Sequence, residues 1–324
     1  MPLGKLSPVK HVLIFGGTGH MGAAIRRHLG PAKYRVTTVT RNPKAPGDVQ
    51  WDGKALGPWT ETLDGADVAI NLAGRRVHCR YNEANLEEMM TSRILSTQVL
   101  GTAIGQCERP PAVWLQASTA TIYAHTFGEA NDERRGVLGG SEPNVPKVWN
   151  YSIQIAKNWE AELERAETPR TRKVALRAAI MMGIDKASAF DILSGLARRG
   201  LGGKLGSGRQ FVSWVHELDM VRAIDFLIEK DLAGPVNISA PHPLPQVEFA
   251  RELRQAWGVK FGLPAMPWMV DAGAWVMNAD SELVMKSRRV VPTRLQEAGF
   301  EFEFPEWGPA AWDLVARMRG TPAR

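Results

Sequence analysis

Between His11 and Gly30 the chain reads HVLIFGGTGHMGAAIRRHLG: an apolar run, four glycines within residues 16–22, then a segment of helical spacing. Glycines where a strand turns into a helix permit positive φ and let the backbone approach a bulky anion. The N–H groups at the helix start then receive its charge. A pyrophosphate fits such a turn, and hence a dinucleotide. Gly16, Gly19 and Gly22 match G-x-x-G-x-x-G, while Gly17, Gly19 and Gly22 match G-x-G-x-x-G, so spacing alone does not choose between the two forms; Thr18, His20 and Met21 fill the intervening places. A tight turn holding no ligand has the same composition. Against that plain alternative, the glycines follow a predicted strand, open a predicted helix and begin the first βαβ unit.

The end of the second predicted strand, VTTVTRNP, selects the dinucleotide. An acidic residue there would accept bonds from the ribose hydroxyls of NAD, whereas Arg41, followed by Asn42, offers a cation suited to the 2′-phosphate of NADP. NADP(H) is therefore expected over NAD, the alternative being an arginine at a solvated strand end. Farther on, SWVHELD places His216 next to Trp214 and three residues before Asp219. That arrangement suits a catalytic base or a structural hydrogen-bonding residue at a lobe junction.

These residues need a scaffold, and the order of elements supplies one. Up to about residue 178 the apolar runs HVLIF, YRVTTVT, DVAINLA, AVWLQAS and RKVALRA alternate with helical patterns, which predicts an α/β fold built on a parallel sheet. The stretch NEANLEEMMTSRILSTQVLGTAIGQC and the stretch NYSIQIAKNWEAELERAE are the main helix candidates. After Ala179 the alternation stops, and RRGLGGKLGSGRQ carries five glycines. Residues 1–178 are expected to form the dinucleotide-binding domain, completed by part of 212–240, with 179–324 as a smaller, irregular substrate-side lobe.

Composition narrows the class. The 324 residues are 44% hydrophobic and 23% charged, enough for a large core. The net charge of +6 is scattered, partly in pairs such as Arg26-Arg27, Arg134-Arg135 and Arg198-Arg199. Scattered cations suit small anions rather than nucleic acid. Two cysteines, Cys79 and Cys107, make neither a disulfide framework nor a metal site of the usual spacing. No apolar run reaches the ~18 residues that span a bilayer, and the start MPLGKLSPVK lacks a signal-type apolar stretch. The expectation is a cytoplasmic protein with no metal and no membrane or nucleic-acid partner.

With FGGTGHMG, DVAINLAG and QASTATIYA in this order, the chain resembles the extended short-chain dehydrogenase/reductase superfamily. It is most similar to the epimerase-family branch, also labelled nucleoside-diphosphate-sugar-epimerase-like, whose tail carries a domain of unknown function. The specific stretches are NLAG, SRILST, GGKLGSGRQFVSWVHELDMVRAIDFL, GPVNISAP and VVPTRLQEAGFEFEFP. The resemblance implies a Rossmann-type doubly wound parallel sheet and places the tail domain at about 262–312. It implies that Gly16, Gly19 and Gly22 line the pyrophosphate, that Asp52 faces the adenine, and that Leu72, Ala73 and Gly74 pass beneath the cofactor. Ser118, with Thr119 close behind, is implied as the hydroxyl that holds the reacting oxygen. Arg209 would clamp the pyrophosphate of a small anionic substrate such as a nucleotide sugar, with Trp214 and His216 packed beside it. Monomer and homodimer both remain open.

The resemblance breaks on one helix. The superfamily's Tyr-x-x-x-Lys pair stands ~40° apart around a helix, so that the lysine lowers the pKa of an acid/base tyrosine. Tyr151 and Lys157 are six residues apart, which separates them by ~120°. Aligning Glu160 with the glutamate that often follows the pair puts Ser152 and Ala156 at the two places; counting from Tyr151 puts Ile155 at the lysine place. The branch it resembles commonly lacks the pair as well. Two expectations follow: an NADP-dependent oxidoreductase or epimerase using Ser118 or Thr119 with another acid, such as Tyr123, Tyr151 or a water, or a non-catalytic NADP-binding sensor or interaction protein.

Overall fold

A computed structural model describes residues 9–320 except 78, 144 and 277–279. The start of the chain, read above for a targeting stretch, lies outside the described residues over 1–8. Strands β1 (Lys10–Phe15), β2 (Tyr34–Thr40), β3 (Val49–Gln50), β4 (Val68–Asn71), β5 (Val113–Thr119) and β6 (Arg172–Ala178) follow the expected order. Helices α1 (His20–His28), α2 (Glu83–Gln106) and α3 (Lys147–Arg165) connect them. The second half contributes β7 (Ile180–Met182), β8 (Phe211–Val212), β9 (Trp214–His216), β10 (Gly234–Ile238) and β11 (Leu244–Pro245). Its helices are α4 (Ala189–Arg198), α5 (Glu217–Glu229), α6 (Gln246–Trp257), α7 (Pro267–Val276), α8 (Glu282–Met285), α9 (Thr293–Glu297) and α10 (Trp307–Met318).

Seven strands form one parallel sheet in the order β10-β6-β5-β4-β1-β2-β3. The chain reverses its direction of travel between β1 and β4, and there a crevice opens at the carboxyl ends of the strands. Side chains alternate across the sheet. Val12, Ile14, Val68, Ile70 and Leu115 face Ile25, Ile224 and Leu227 on one side. Leu13, Phe15, Ala69 and Trp114 face Leu100, Ile104 and Leu163 on the other. Burial on both faces explains why these strands read as unbroken apolar runs.

Although β10 lies in the second half, it pairs with β6 from Gly234↔Val174 to Ile238↔Ala178 and so extends the main sheet. Helices α5 and α9 also pack on the main sheet through Ile224, Leu227 and Leu295, while Phe190, Trp214, Phe249, Leu253, Trp307 and Leu314 form a separate core that joins α4, α6 and α10. Among the described residues, no helix is long and apolar enough to cross a membrane, and no group of three or more His, Cys, Asp or Glu is placed to hold a metal.

Candidate functional site

Three of the four glycines after β1 are consumed by packing. Gly16 has φ +73°, and a Cβ there would stand 2.8 Å from the Ala73 backbone, so the turn touches the loop after β4. At Gly17 a Cβ would lie 2.9 Å from Ile14 Cγ2, and at Gly22 it would lie 2.2 Å from the Gly17 carbonyl oxygen. Gly19 differs: a Cβ there meets nothing within 4 Å. Gly19 is the N-cap of α1 with extended backbone and no side-chain cap, and the first turn carries no acid. The N–H groups of Gly17, Thr18 and Gly19 have no partner among the described residues. An uncapped helix start carries partial positive charge and is a ready anion site. Thr18 is exposed, Met21 packs on the core, and His20 Nε2 lies 3.1 Å from the Lys186 carbonyl.

The rim around that turn collects the other residues implied for cofactor binding. Gly16 donates to the Val39 carbonyl at 2.9 Å, which fixes the end of β2 beside the glycines. Arg41 and Asn42 follow immediately and are exposed. Asp52 is exposed two residues past β3; its Oδ1 accepts from Lys54 and Ala55 N–H at 2.8 and 2.9 Å, and these bonds hold its carboxyl below the usual range. Leu72 N–H donates to the Phe15 carbonyl at 2.8 Å, and Ala73 N–H to buried Asn71 at 3.0 Å. Gly74 lies against Arg93, whose guanidinium donates to the Met89 and Arg75 carbonyls and rests over Trp159; burial pulls its pKa down to about 10.

The hydroxyls at the end of β5 divide. Ser118 donates to Glu160 Oε1 at 2.5 Å, and Glu160 is gripped by Arg177 through Nε at 2.9 Å and Nη2 at 2.7 Å. Arg177 also donates to Tyr123 Oη at 2.9 Å, and Tyr123 donates to Asn237 Oδ1 at 2.9 Å. The Asn237 N–H donates in turn to Glu133 at 2.8 Å. Ser118 and Tyr123 thus belong to a buried chain of polar groups spanning β5, α3, β6 and β10. This corrects the expectation for both: each hydroxyl is spent inside the core, and burial pushes the Tyr123 phenol up. Thr119, one residue later and half-buried, accepts only the Thr121 N–H at 3.1 Å. Its hydroxyl hydrogen has no acceptor among the described residues and is available at the open edge.

On α3 neither alignment puts a base at the lysine place, where Ala156 or Ile155 stands. Tyr151 is 38% exposed, while Ile155 and Ala156 are buried. Tyr151 therefore points away from the packed face, which argues against it as the acid; Lys157 is half-buried on the same helix. Ser152 donates to Glu282 Oε2 at 2.5 Å. That bond leads to a cluster that sequence reasoning missed. Glu282 Oε1 is buried and accepts no hydrogen bond. Lys286 Nζ lies 3.8 Å and Arg288 Nη2 3.6 Å from it. Lys286 also donates to the Thr121 carbonyl at 3.0 Å, and Arg288 Nε to Thr121 Oγ1 at 3.2 Å. Burial and neighbouring Arg288 pull Lys286 down to about 8, and burial pushes Glu282 up. The i,i+4 spacing of Glu282 and Lys286 reads in sequence as a solvated helix face; the loss of the α3 pair was the one signal that other polar groups had to stand there.

The residues implied for the substrate separate as well. Arg209 is exposed, with its guanidinium 5.9 Å from the Phe127 ring centroid. Trp214 is fully buried and packs edge-on against Trp307 at 5.0 Å. His216 is also fully buried: Nε2 lies 3.0 Å from Asp313 Oδ2, Nδ1 accepts the Leu218 N–H at 3.1 Å, and the ring stacks on Phe304. Trp214 and His216 are therefore corrected from substrate contacts to core packing and helix capping. Asp219 completes this strap by accepting from the Glu303 and Phe304 N–H groups at 2.9 and 2.8 Å.

Residues 12–239 match the NAD dependent epimerase/dehydratase family, and residues 268–314 match a domain of unknown function, DUF1731. The chain belongs to this epimerase/dehydratase family. Among its relatives, human epimerase family protein SDR39U1 is 30% identical over 309 residues, covering 94% of this chain and 99% of the relative. Epimerase family protein SERP0438 of Staphylococcus epidermidis is 29% identical over 320 residues, covering 95% and 99%. The crystal structure of human SDR39U1 with NADPH superposes with TM-score 0.82 at 29% identity, covering 94% of this chain and 99% of that one. A nucleoside-diphosphate sugar epimerase from Corynebacterium glutamicum, at 22% identity, TM-score 0.74 and coverage of 98% and 63%, shows the fold alone. The Glu282–Arg288 cluster falls inside the DUF1731 match, so the family's tail supplies the polar groups that meet α3.

Proposed function

We propose that this epimerase-family protein is an NADP(H)-dependent oxidoreductase or epimerase that acts on a small carbonyl or secondary alcohol without a Tyr-Lys pair. The observation that carries the reading is the turn at Gly19, where a Cβ would enter open space at an uncapped helix start. The pyrophosphate fits that cradle, Arg41 suits a 2′-phosphate, and a relative with 29% identity was solved with NADPH. Gly16, Gly17, Thr18, Gly19 and the first turn of α1 would hold the pyrophosphate, with Leu72–Gly74 as the floor. When bound, the cofactor supplies a centre that gives or takes a hydride.

Thr119 polarises the substrate oxygen by donating its free hydroxyl hydrogen. Ser118 does not compete for that role, because Glu160 already takes its hydrogen. The buried Glu160–Arg177 pair holds the strand end in place. No tyrosine stands at the proton-transfer position, so turnover is slow by a factor on the order of 10²–10⁴ relative to enzymes that have one. Oxidation of NADPH by a panel of small carbonyl compounds tests the reading. Thr119→Val should lower turnover roughly tenfold or more with NADPH affinity unchanged, whereas Ser118→Ala should lower stability by about 1–3 kcal/mol. The buried Ala156 and the committed Ser152 favour a second reading, cofactor binding without turnover. Tight NADPH binding with no oxidation by any carbonyl would establish that one instead.

A further inference from the structure

Helix α7 reads PWMVDAGAWV, apolar on nearly every side, with one acid and no cation. A helix of that composition belongs inside a protein or against another apolar phase. Here Val270 is its one buried residue. Trp268 is 68% exposed and Trp275 62%. Seven positions apart, the two tryptophans stand ~20° apart around the helix and ~10 Å apart along it, so they share one face. At the far end Arg80 rests over the Trp275 ring, 4.3 Å from its centroid, and donates to the Trp275 carbonyl at 3.2 Å.

The chain leading into α7 extends the same surface. Phe261, Leu263, Met266 and Met269 are exposed, and so is Leu201 on the facing loop. Hydrogen bonds hold this surface in shape. Leu263 N–H donates to the Gly200 carbonyl at 2.7 Å, Ala265 N–H to the Lys204 carbonyl at 2.8 Å, and Gly206 N–H to the Ala265 carbonyl at 2.8 Å. The Phe261 ring lies against Gly200, where a Cβ would stand 2.6 Å from its edge, so residues 200–206 and 261–267 form one platform. Single exposed apolar residues are ordinary, whereas a contiguous group marks a contact surface. The charges around it have one sign. Residues 192–210 and 253–270 contain no Asp or Glu, while Arg198, Arg199, Lys204 and Lys260 are exposed. Asp271 is the one acid on α7.

We propose that this platform rests on an anionic lipid surface, with the α7 tryptophans at the level of the headgroups and the flanking cations facing the phosphates. An apolar surface ringed by cations complements such a bilayer in both respects. Tryptophan suits the boundary because one end of its ring system is apolar and the other carries a donor. A second copy of this chain fits less well, since a two-fold contact sets the same cations against each other. Nucleic acid matches the cations and leaves the apolar groups without a partner. With ten residues, α7 is far shorter than the ~20 that span a bilayer, so it lies on the surface. The expectation of no membrane partner, drawn from spanning runs, does not cover this mode. The contact is separate from the cofactor turn and does not depend on catalysis.

Flotation of the full-length protein with vesicles of phosphatidylcholine alone, and of an equimolar mixture of phosphatidylcholine and phosphatidylglycerol, tests the proposal. Binding to the anionic vesicles should exceed binding to the neutral ones by roughly tenfold or more, and it should weaken as salt is added. Trp268→Ser should lower it roughly tenfold by removing a ring from the apolar face. Lys204→Gln combined with Lys260→Gln should lower it by a similar factor, roughly tenfold, on anionic vesicles. Thermal melts of these variants should match the natural protein, because the altered side chains are exposed. No flotation with anionic vesicles, equal binding to the two compositions, or unchanged binding by Trp268→Ser would overturn the assignment. So would a dimer in sedimentation velocity that Trp268→Ser dissociates, which would give this face to a second copy of the chain. If the double lysine variant fails to fold, the ratio between the two lipid compositions and Trp268→Ser still decide.

Discussion

The protein has two glycine-rich stretches, and they do opposite things. Residues 16–22 hold four glycines and residues 200–208 hold five, yet only the first contains one, Gly19, at which a Cβ would meet nothing within 4 Å. In the first stretch, packing uses Gly16, Gly17 and Gly22 to bring β1, the β4 loop and α1 together, which leaves Gly19 open at a helix start. In the second, a Cβ at any of the five glycines would meet an atom within 3.1 Å, and hydrogen bonds to 263–265 and to Gln246 hold the loop from both sides. Glycine density therefore records close approach of backbones; anion binding requires in addition an open approach to the N–H groups.

Exchanging the same side chain between the two stretches breaks this comparison most directly. Gly203→Val should destabilise the fold by about 1–3 kcal/mol or more, because its Cβ would collide with the Leu263 backbone, while the NADPH affinity of the folded fraction stays unchanged. Gly19→Val should leave thermal stability nearly untouched and weaken NADPH by roughly a hundredfold or more, about 2.7 kcal/mol. Thermal melts with NADPH titrations on both variants check the pair. A stable Gly203→Val, or a Gly19→Val that still binds, would erase the distinction.

The first stretch was legible in the sequence because its meaning is local: strand, turn and helix lie within twenty residues, and Arg41 stands at the next strand end. The sheet was legible for the same reason, each strand being an apolar run buried on both faces. The roles of Ser118 and Tyr123 were not, because their partners Glu160, Arg177 and Asn237 come from three later elements. Nor was that of Trp214, whose burial depends on α10 carrying Trp307 alongside it. Arg177, a charge within the apolar strand RKVALRA, was the visible sign of a buried ion pair. The Glu282–Arg288 cluster reaches α3 from 130 residues away, and nothing in either segment names the other.

Arg41 sharpens what the open turn selects. Replacing it with alanine should weaken NADPH about tenfold, or about 1.4 kcal/mol, and leave NADH nearly unchanged, because only the former carries the 2′-phosphate. Fluorescence titration with both cofactors checks this, and a natural protein that binds the two equally would remove Arg41 from the cofactor rim.

The smallest expected effect concerns a buried charge that the tail supplies. Lys286 is pulled down to about 8 by burial and by Arg288, against opposing pulls from Glu282 and Glu142. Across from it, burial and the Lys286 charge hold His125 below its ordinary value, so His125 is neutral above pH 7; backbone donors keep Glu142 ionised. Lys286 is then the group in this cluster that changes charge between pH 7 and 9. It is protonated below about 8 and loses its proton above, whereas a lysine of the unfolded chain holds its proton to about 10. Between those values the unfolded chain binds more protons than the folded protein, so this group makes stability rise with pH. Lys286→Met removes that contribution. Thermal melts of the natural protein and the variant between about pH 7 and 10 check it: the natural protein should gain stability relative to Lys286→Met as the pH rises, and parallel curves would mean that Lys286 is not held below its ordinary value.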